Sequence, residues 1–187
     1  MFSSQEQQSW KTHDRLVTID SPWVKVICDR LEDNTGKRLD YWRVEKADSA
    51  IVLPLQGDRL LLPKPMYRPG IGRETLDFPG GRVADKQTPE KAIASILDRE
   101  LGILPAAVLK LTPINPESWI VNSSFSNQKL YGFIAEIDPD ITINAELLGS
   151  SYPTTSQGIR SLLQELICLQ CRALLLEWYS QKLLSQS

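Results

Sequence analysis

The chain has 187 residues, 42% hydrophobic and 24% charged, with a formal net charge of −2. That composition suits one well-filled globular core, and a slight acidity with no basic stripe excludes a dedicated nucleic-acid binder. No run approaches the ~20 apolar residues of a membrane span, and the polar start MFSSQEQQSWKTHD lacks the apolar centre of a secretory signal. A soluble, cytoplasmic protein without a membrane partner is therefore expected.

Taken in chain order, residues 1–14 read as a mobile tail and residues 15–47 as a hairpin. Within it, PWVKVICDRLED alternates like a half-buried strand, NTGK supplies a turn and RLDYWRVEKA alternates again. A second hairpin runs through SAIVLPLQ, bends at Gly57-Asp58 and returns along RLLLPKPMY. The Gly- and Pro-rich YRPGIGRETLDFPGG predicts an ordered loop with a short strand near TLDF. A helix follows from Thr88, a good cap, with Pro89 at its first position and Glu90 at the positive end of its dipole. Ala92, Ile93, Ile96 and Leu97 form its apolar stripe, and Gly102 stops it. KLYGFIAEID predicts another strand, and Thr155 to Leu184 predicts two helices or one bent one. Strands, a helix, strands and terminal helices imply a mixed sheet covered by helices, with residues 48–187 as its domain.

Three cysteines exclude a disulfide framework. Cys168 and Cys171 fall in ELICLQCRALLLEW, where apolar spacing is helical; such a pair can be redox-active or bind zinc, but with no second cysteine or histidine pair it reads as buried helix packing. The lone His13 cannot build a histidine metal site.

The stretch GGRVADKQTPEKAIASILDRELGI, residues 80–103, resembles the signature of the Nudix hydrolase family. That signature is a Gly, five residues, a Glu, seven residues, then Arg-Glu-aliphatic-any-Glu-Glu-any-Gly-aliphatic. Without a gap, Gly81, Leu97, Glu100, Gly102 and Ile103 match it. Gln87, Ser95, Ile96 and Arg99 depart from it, so one acid of four survives. Tyr67-Arg68-Pro69 and Asp77-Phe78-Pro79-Gly80-Gly81 are similar to the entry to this box in the ADP-ribose and ADP-sugar pyrophosphatase branch. Upstream, residues 22–46 resemble the hairpin that this branch places before its catalytic domain.

The resemblance implies a Nudix-type α/β/α sandwich with a mixed sheet, preceded by an N-terminal β-hairpin, in a homodimer. It also implies Mg²⁺ chemistry on a pyrophosphate, with Gly80 (through its carbonyl) and Glu100 as metal ligands. Mg²⁺ needs several oxygen ligands, and carboxylates at i and i+4 on a helix can share one. Here those two positions are Ile96 and Glu100, and an isoleucine ligates nothing. Arg99 stands where a third acid is expected; a solvated helix face is its plain reading, and neutralising a diphosphate is the other. Asp77 and Asp98 lie at the margins, and Asp138, Asp140 and Glu146 are the acids that a rescue would recruit. Losing a positioned base costs roughly 10²–10⁴ in rate. With the metal's contribution lost as well, a median turnover of about 10 s⁻¹ falls to on the order of 10⁻³ s⁻¹.

The binding residues survive better. By resemblance, Trp23 and Tyr41 sandwich an adenine, with Trp42 as the neighbour if the register slips, and Lys46 and Arg68 face phosphates and ribose. As residues alone, Trp23 and Tyr41 are ordinary strand aromatics. Three functions follow as expectations. The first is a Nudix-like protein with a degenerate site and little or no Mg²⁺, binding a nucleoside diphosphate or acting as a regulatory module. The second is an active ADP-ribose or ADP-sugar hydrolase. The third is a structural module with a protein partner and no small ligand.

Overall fold

The computed structural model describes residues 9–185. The described residues divide into two compact units, residues 9–47 with 120–128, and residues 48–119 with 129–185.

In the first unit, β1 (Lys11–Asp20), β2 (Lys25–Glu32) and β3 (Arg38–Glu45) form an antiparallel sheet in the order β1-β2-β3. The expected hairpin is thus a three-stranded sheet, and the expected tail is corrected: residues 11–14 are strand, while residues 1–8 lie outside the described residues. KTHDRLVTID shows no apolar alternation because almost all of it is exposed. Pairing to β2 holds it, with His13 against Glu32 and Arg15 against Asp29. The turn between β2 and β3 is tied by Asp33, whose Oδ1 accepts from Thr35 N, Thr35 Oγ1 and Lys37 N. Residues 120–128 dock along β3, where Val44 N donates to Phe125 O and Lys46 N to Asn127 Oδ1.

The second unit is built on a mixed sheet. Its strands are β4 (Ser49–Gln56), β5 (Arg59–Pro63), the small pair β6 (Met66–Arg68) and β7 (Arg73–Thr75), β8 (Gly80–Arg82) and β9 (Val108–Pro113). The two-residue β10 (Trp119–Ile120) falls at the boundary between the units, followed by β11 (Lys129–Ile137) and β12 (Leu148–Pro153). The main path runs β11-β4-β5-β12, with β8 on β4 and β9 on β11, and β11 runs parallel to β4. The helices are α1 (Pro89–Leu101), α2 (Ser156–Glu165) and α3 (Leu169–Leu184). None of the described helices is long and apolar enough to cross a membrane.

The period of two in the central strands sorts side chains to two faces. Ala50 and Val52 of β4, with Phe133, Ala135 and Ile137 of β11, pack with Ala92, Ile93, Ile96 and Leu97 of α1. The alternate position Gly132 meets α3 instead: a Cβ there would lie 2.0 Å from Leu174 Cδ2. Helices thus cover both faces, an α/β/α sandwich. The expected start and stop of α1 are both present. Thr88 Oγ1 accepts from Lys91 N, Pro89 opens the helix, and Gly102 ends it in the left-handed region at φ 68°.

Candidate functional site

The site expected from residues 80–103 lies where β8 meets the C-terminal half of α1. Gly80 pairs with Ile51 and Gly81 with Ala50, which lays the Gly-Gly turn on the start of β4. Gly81 permits the helix to come close: a Cβ there would stand 3.2 Å from Ile96 Cγ1 and 3.3 Å from Arg99 Nη2. Ile96 is 2% exposed and belongs to the core. At the position where the signature carries an acid, this chain has spent its side chain on packing.

Glu100 is mostly covered, and both its oxygens are engaged. Oε2 accepts from Gly80 N at 3.3 Å, and Oε1 accepts from Arg99 Nη2 at 2.6 Å. The same Nη2 donates to the carbonyl oxygen of Gly80 at 3.2 Å. Arg99 is an exposed helix residue, as the solvated-face reading expected, and its guanidinium also reaches the turn and its neighbour. Sequence reasoning missed this because adjacent helix residues usually diverge. The contact arises because the arginine is long enough to reach across to the Gly80 carbonyl.

This geometry bears on the expected metal. Mg²⁺ demands several oxygens around one point. The two groups expected to ligate it, Gly80 O and Glu100, share a guanidinium, whose fixed positive charge opposes a dication in the same place. The residues as arranged do not fit Mg²⁺. Two of the acids named for a rescue lie far along the sheet. In the register, Ile137 opposes Gln56, five positions along β4 from Ile51, so Asp138 and Asp140 lie roughly 17 Å from Gly80 at ~3.3 Å per residue. Asp138 Oδ1 accepts from Asp140 N within its own turn. Glu146 is exposed in the turn after β11 that meets Gly102 through Asn144 and Leu147, and Asp98 is exposed on α1.

Arg68 lies on β6, and its guanidinium is committed to Asp77: Nε and Nη2 approach Oδ2 at 2.9 and 2.8 Å. Thr75 Oγ1 donates to the same oxygen at 2.7 Å. A phosphate at Arg68, as the resemblance implies, competes with Asp77.

The aromatic candidates belong to the first unit. Trp23 is 73% exposed and sits in the β1–β2 turn rather than on a strand. Tyr41 lies on β3; its hydroxyl donates to Ser124 O, and its ring meets Trp10 edge-on at 5.9 Å. Trp42 is 50% exposed on the same strand, and Lys46 is exposed just beyond it. Tyr41 is accordingly tied into its own unit.

The two C-terminal cysteines depart from simple packing. Cys171 is 1% exposed, but Cys168 is half-buried and caps α3. The hydrogen bond from the Cys171 thiol chiefly pulls Cys168 down to about 6, and the same bond, with burial, pushes Cys171 up.

No family model matches the chain. It is similar to the crystal structure of an ADP compounds hydrolase, with a TM-score of 0.75 at 18% identity, over 98% of this chain and 99% of that one. The fold is thus a Nudix-type α/β fold, in agreement with the architecture expected from the sequence.

Proposed function

We propose that this protein is a Nudix-fold binding module whose pyrophosphohydrolase site has degenerated, with a nucleoside diphosphate of the ADP-ribose class as its ligand. One observation carries the reading: Arg99 Nη2 bridges Gly80 O and Glu100 Oε1, where the resemblance puts a metal ion. An arginine at that point supplies positive charge for phosphate oxygens without water activation. Ile96 stands where the signature carries an acid, so in this reading the box lacks that carboxylate. The ligand class rests on the resemblance of residues 67–81 and on the likeness to a hydrolase of ADP compounds. Magnesium contributes little in this reading, and the homodimer implied by the resemblance is the expected assembly.

The test has two arms. AMP release from ADP-ribose is followed with Mg²⁺ or Mn²⁺, using Glu100→Gln as control, and ADP-ribose binding is measured by calorimetry in chelator. The expected result is no product above the control over hours, and metal-free binding that weakens in Arg99→Ala. Product that disappears in Glu100→Gln favours the active hydrolase instead. Neither product nor binding leaves the structural module. Trp23→Ala tests separately whether the exposed indole stacks a base, a contact worth about 1–3 kcal/mol.

A further inference from the structure

Among the described residues, one cluster has the chemistry of a metal site, and it involves neither Gly80 nor Glu100. The ligand atoms of Asp77, Cys168 and Cys171 all lie within 4.8 Å of one another, with Cys171 Sγ 4.0 Å from Asp77 Oδ1. We propose that Asp77, Cys168 and Cys171 bind a thiophilic divalent cation of the Zn²⁺ type, tying the start of α3 to the loop that leads into β8.

Three features support it. First, the two sulfurs come from the cap and the first turn of α3, so one short helical segment presents both to the same side. Second, the carboxylate is already aimed. Arg68 and Thr75 hold Oδ2 at 2.7–2.9 Å, which leaves Oδ1 facing the sulfurs, the arrangement by which outer partners orient a metal ligand. Third, the spacing needs little adjustment. With Zn–S near 2.3 Å and Zn–O near 2.0–2.2 Å, ligands of a tetrahedral site stand about 3.5–3.8 Å apart. Two thiolates and a carboxylate are balanced in charge by a dication and the Arg68 guanidinium.

A simple dithiol pair would use the two sulfurs and leave Asp77 Oδ1, the oxygen not held by Arg68 and Thr75, outside the pair. The fixed third ligand is what favours a metal. Three protein ligands leave a fourth position for water or an exogenous donor. The α2–α3 junction is braced independently, since Arg172 Nη1 donates to Leu163 O and Leu166 O. The helix end therefore does not depend on the ion to form.

The experiment is a Co²⁺ titration of the full chain, reduced, freed of chelator and checked by thiol counting. The expected result is one equivalent of Co²⁺ with thiolate-to-cobalt charge transfer in the near ultraviolet and intense tetrahedral d–d bands, all bleached by Zn²⁺. Cys168→Ser should weaken binding by on the order of 100-fold, and Asp77→Asn and Thr75→Val by about 10–100-fold. Cys168 is half-buried at a capping position where serine is favoured, so that variant should fold. Fully reduced protein without the charge-transfer band overturns the proposal. So does a band that survives Cys168→Ser, or an affinity unchanged in Asp77→Asn.

Discussion

The Nη2 atom of Arg99 lies 3.2 Å from the carbonyl oxygen of Gly80, and the same nitrogen holds Glu100. A covalently attached cation thus sits on the two groups expected to carry a mobile one. Its removal should expose them.

Arg99→Glu replaces that cation by a carboxylate next to Glu100. Mn²⁺ affinity, read by loss of the free-ion electron paramagnetic resonance signal, should rise by at least about tenfold, or 1.4 kcal/mol. Equal Mn²⁺ binding by the two proteins would show that Arg99 does not block the site.

Ile96→Glu should not restore the box. Ile96 is 2% exposed among Ala92, Ile93 and Leu97, so a carboxylate there is taken out of water into the apolar core. A loss of about 3–5 kcal/mol is expected in urea unfolding. A near-neutral result would mean that α1 can turn this position to solvent.

Asp29 gives the clearest dependence on pH. It is 4% exposed on β2, and the hydrogen bond from Arg15, aided by Arg43, holds its carboxyl below the usual carboxylate range. A depressed folded value means that the unfolded state binds the proton more readily. The stabilisation is therefore present above the unfolded value of about 3.9 and is lost as pH falls through the folded one. Asp29→Ala should cost about 1–3 kcal/mol at pH 7. The gap from the native chain should close in strong acid. A gap independent of pH would assign the loss to packing.

Gly132→Ala tests the packing of α3 on the sheet. Its Cβ would lie 2.0 Å from Leu174 Cδ2, and Leu174 is fully buried, so the side chain has no room to yield. Overpacking of about 1–3 kcal/mol is expected. Leu174→Ala combined with it should show a favourable coupling in a double-mutant cycle. Strict additivity would place the strain elsewhere.

Much of the second unit was legible in the chain because its signals are local. Thr88-Pro89 and Gly102 carry their own capping preferences, and the alternation in β4 and the stripe on α1 each report a single buried face. The strand β1 was not legible, since its polar residues gain order only from β2. The β6–β7 pairing was not legible either: Met66-Tyr67 read as the end of the second hairpin and a short strand falls near TLDF, because three-residue strands carry too little pattern.

At the site, the sequence by itself determined which acids are missing, because side-chain identity alone decides whether a group can ligate or take a proton. It also determined that Ile96 and Glu100 share a helix face, since the helical period is fixed. What only the tertiary structure decided was where the long and the distant side chains end. Arg99 reaches the Gly80 carbonyl, Arg68 closes on Asp77, and Asp77 meets Cys171 from 94 residues away. Those contacts depend on how α1, α3 and the loop before β8 pack on the sheet. No local preference of the chain encodes that distance.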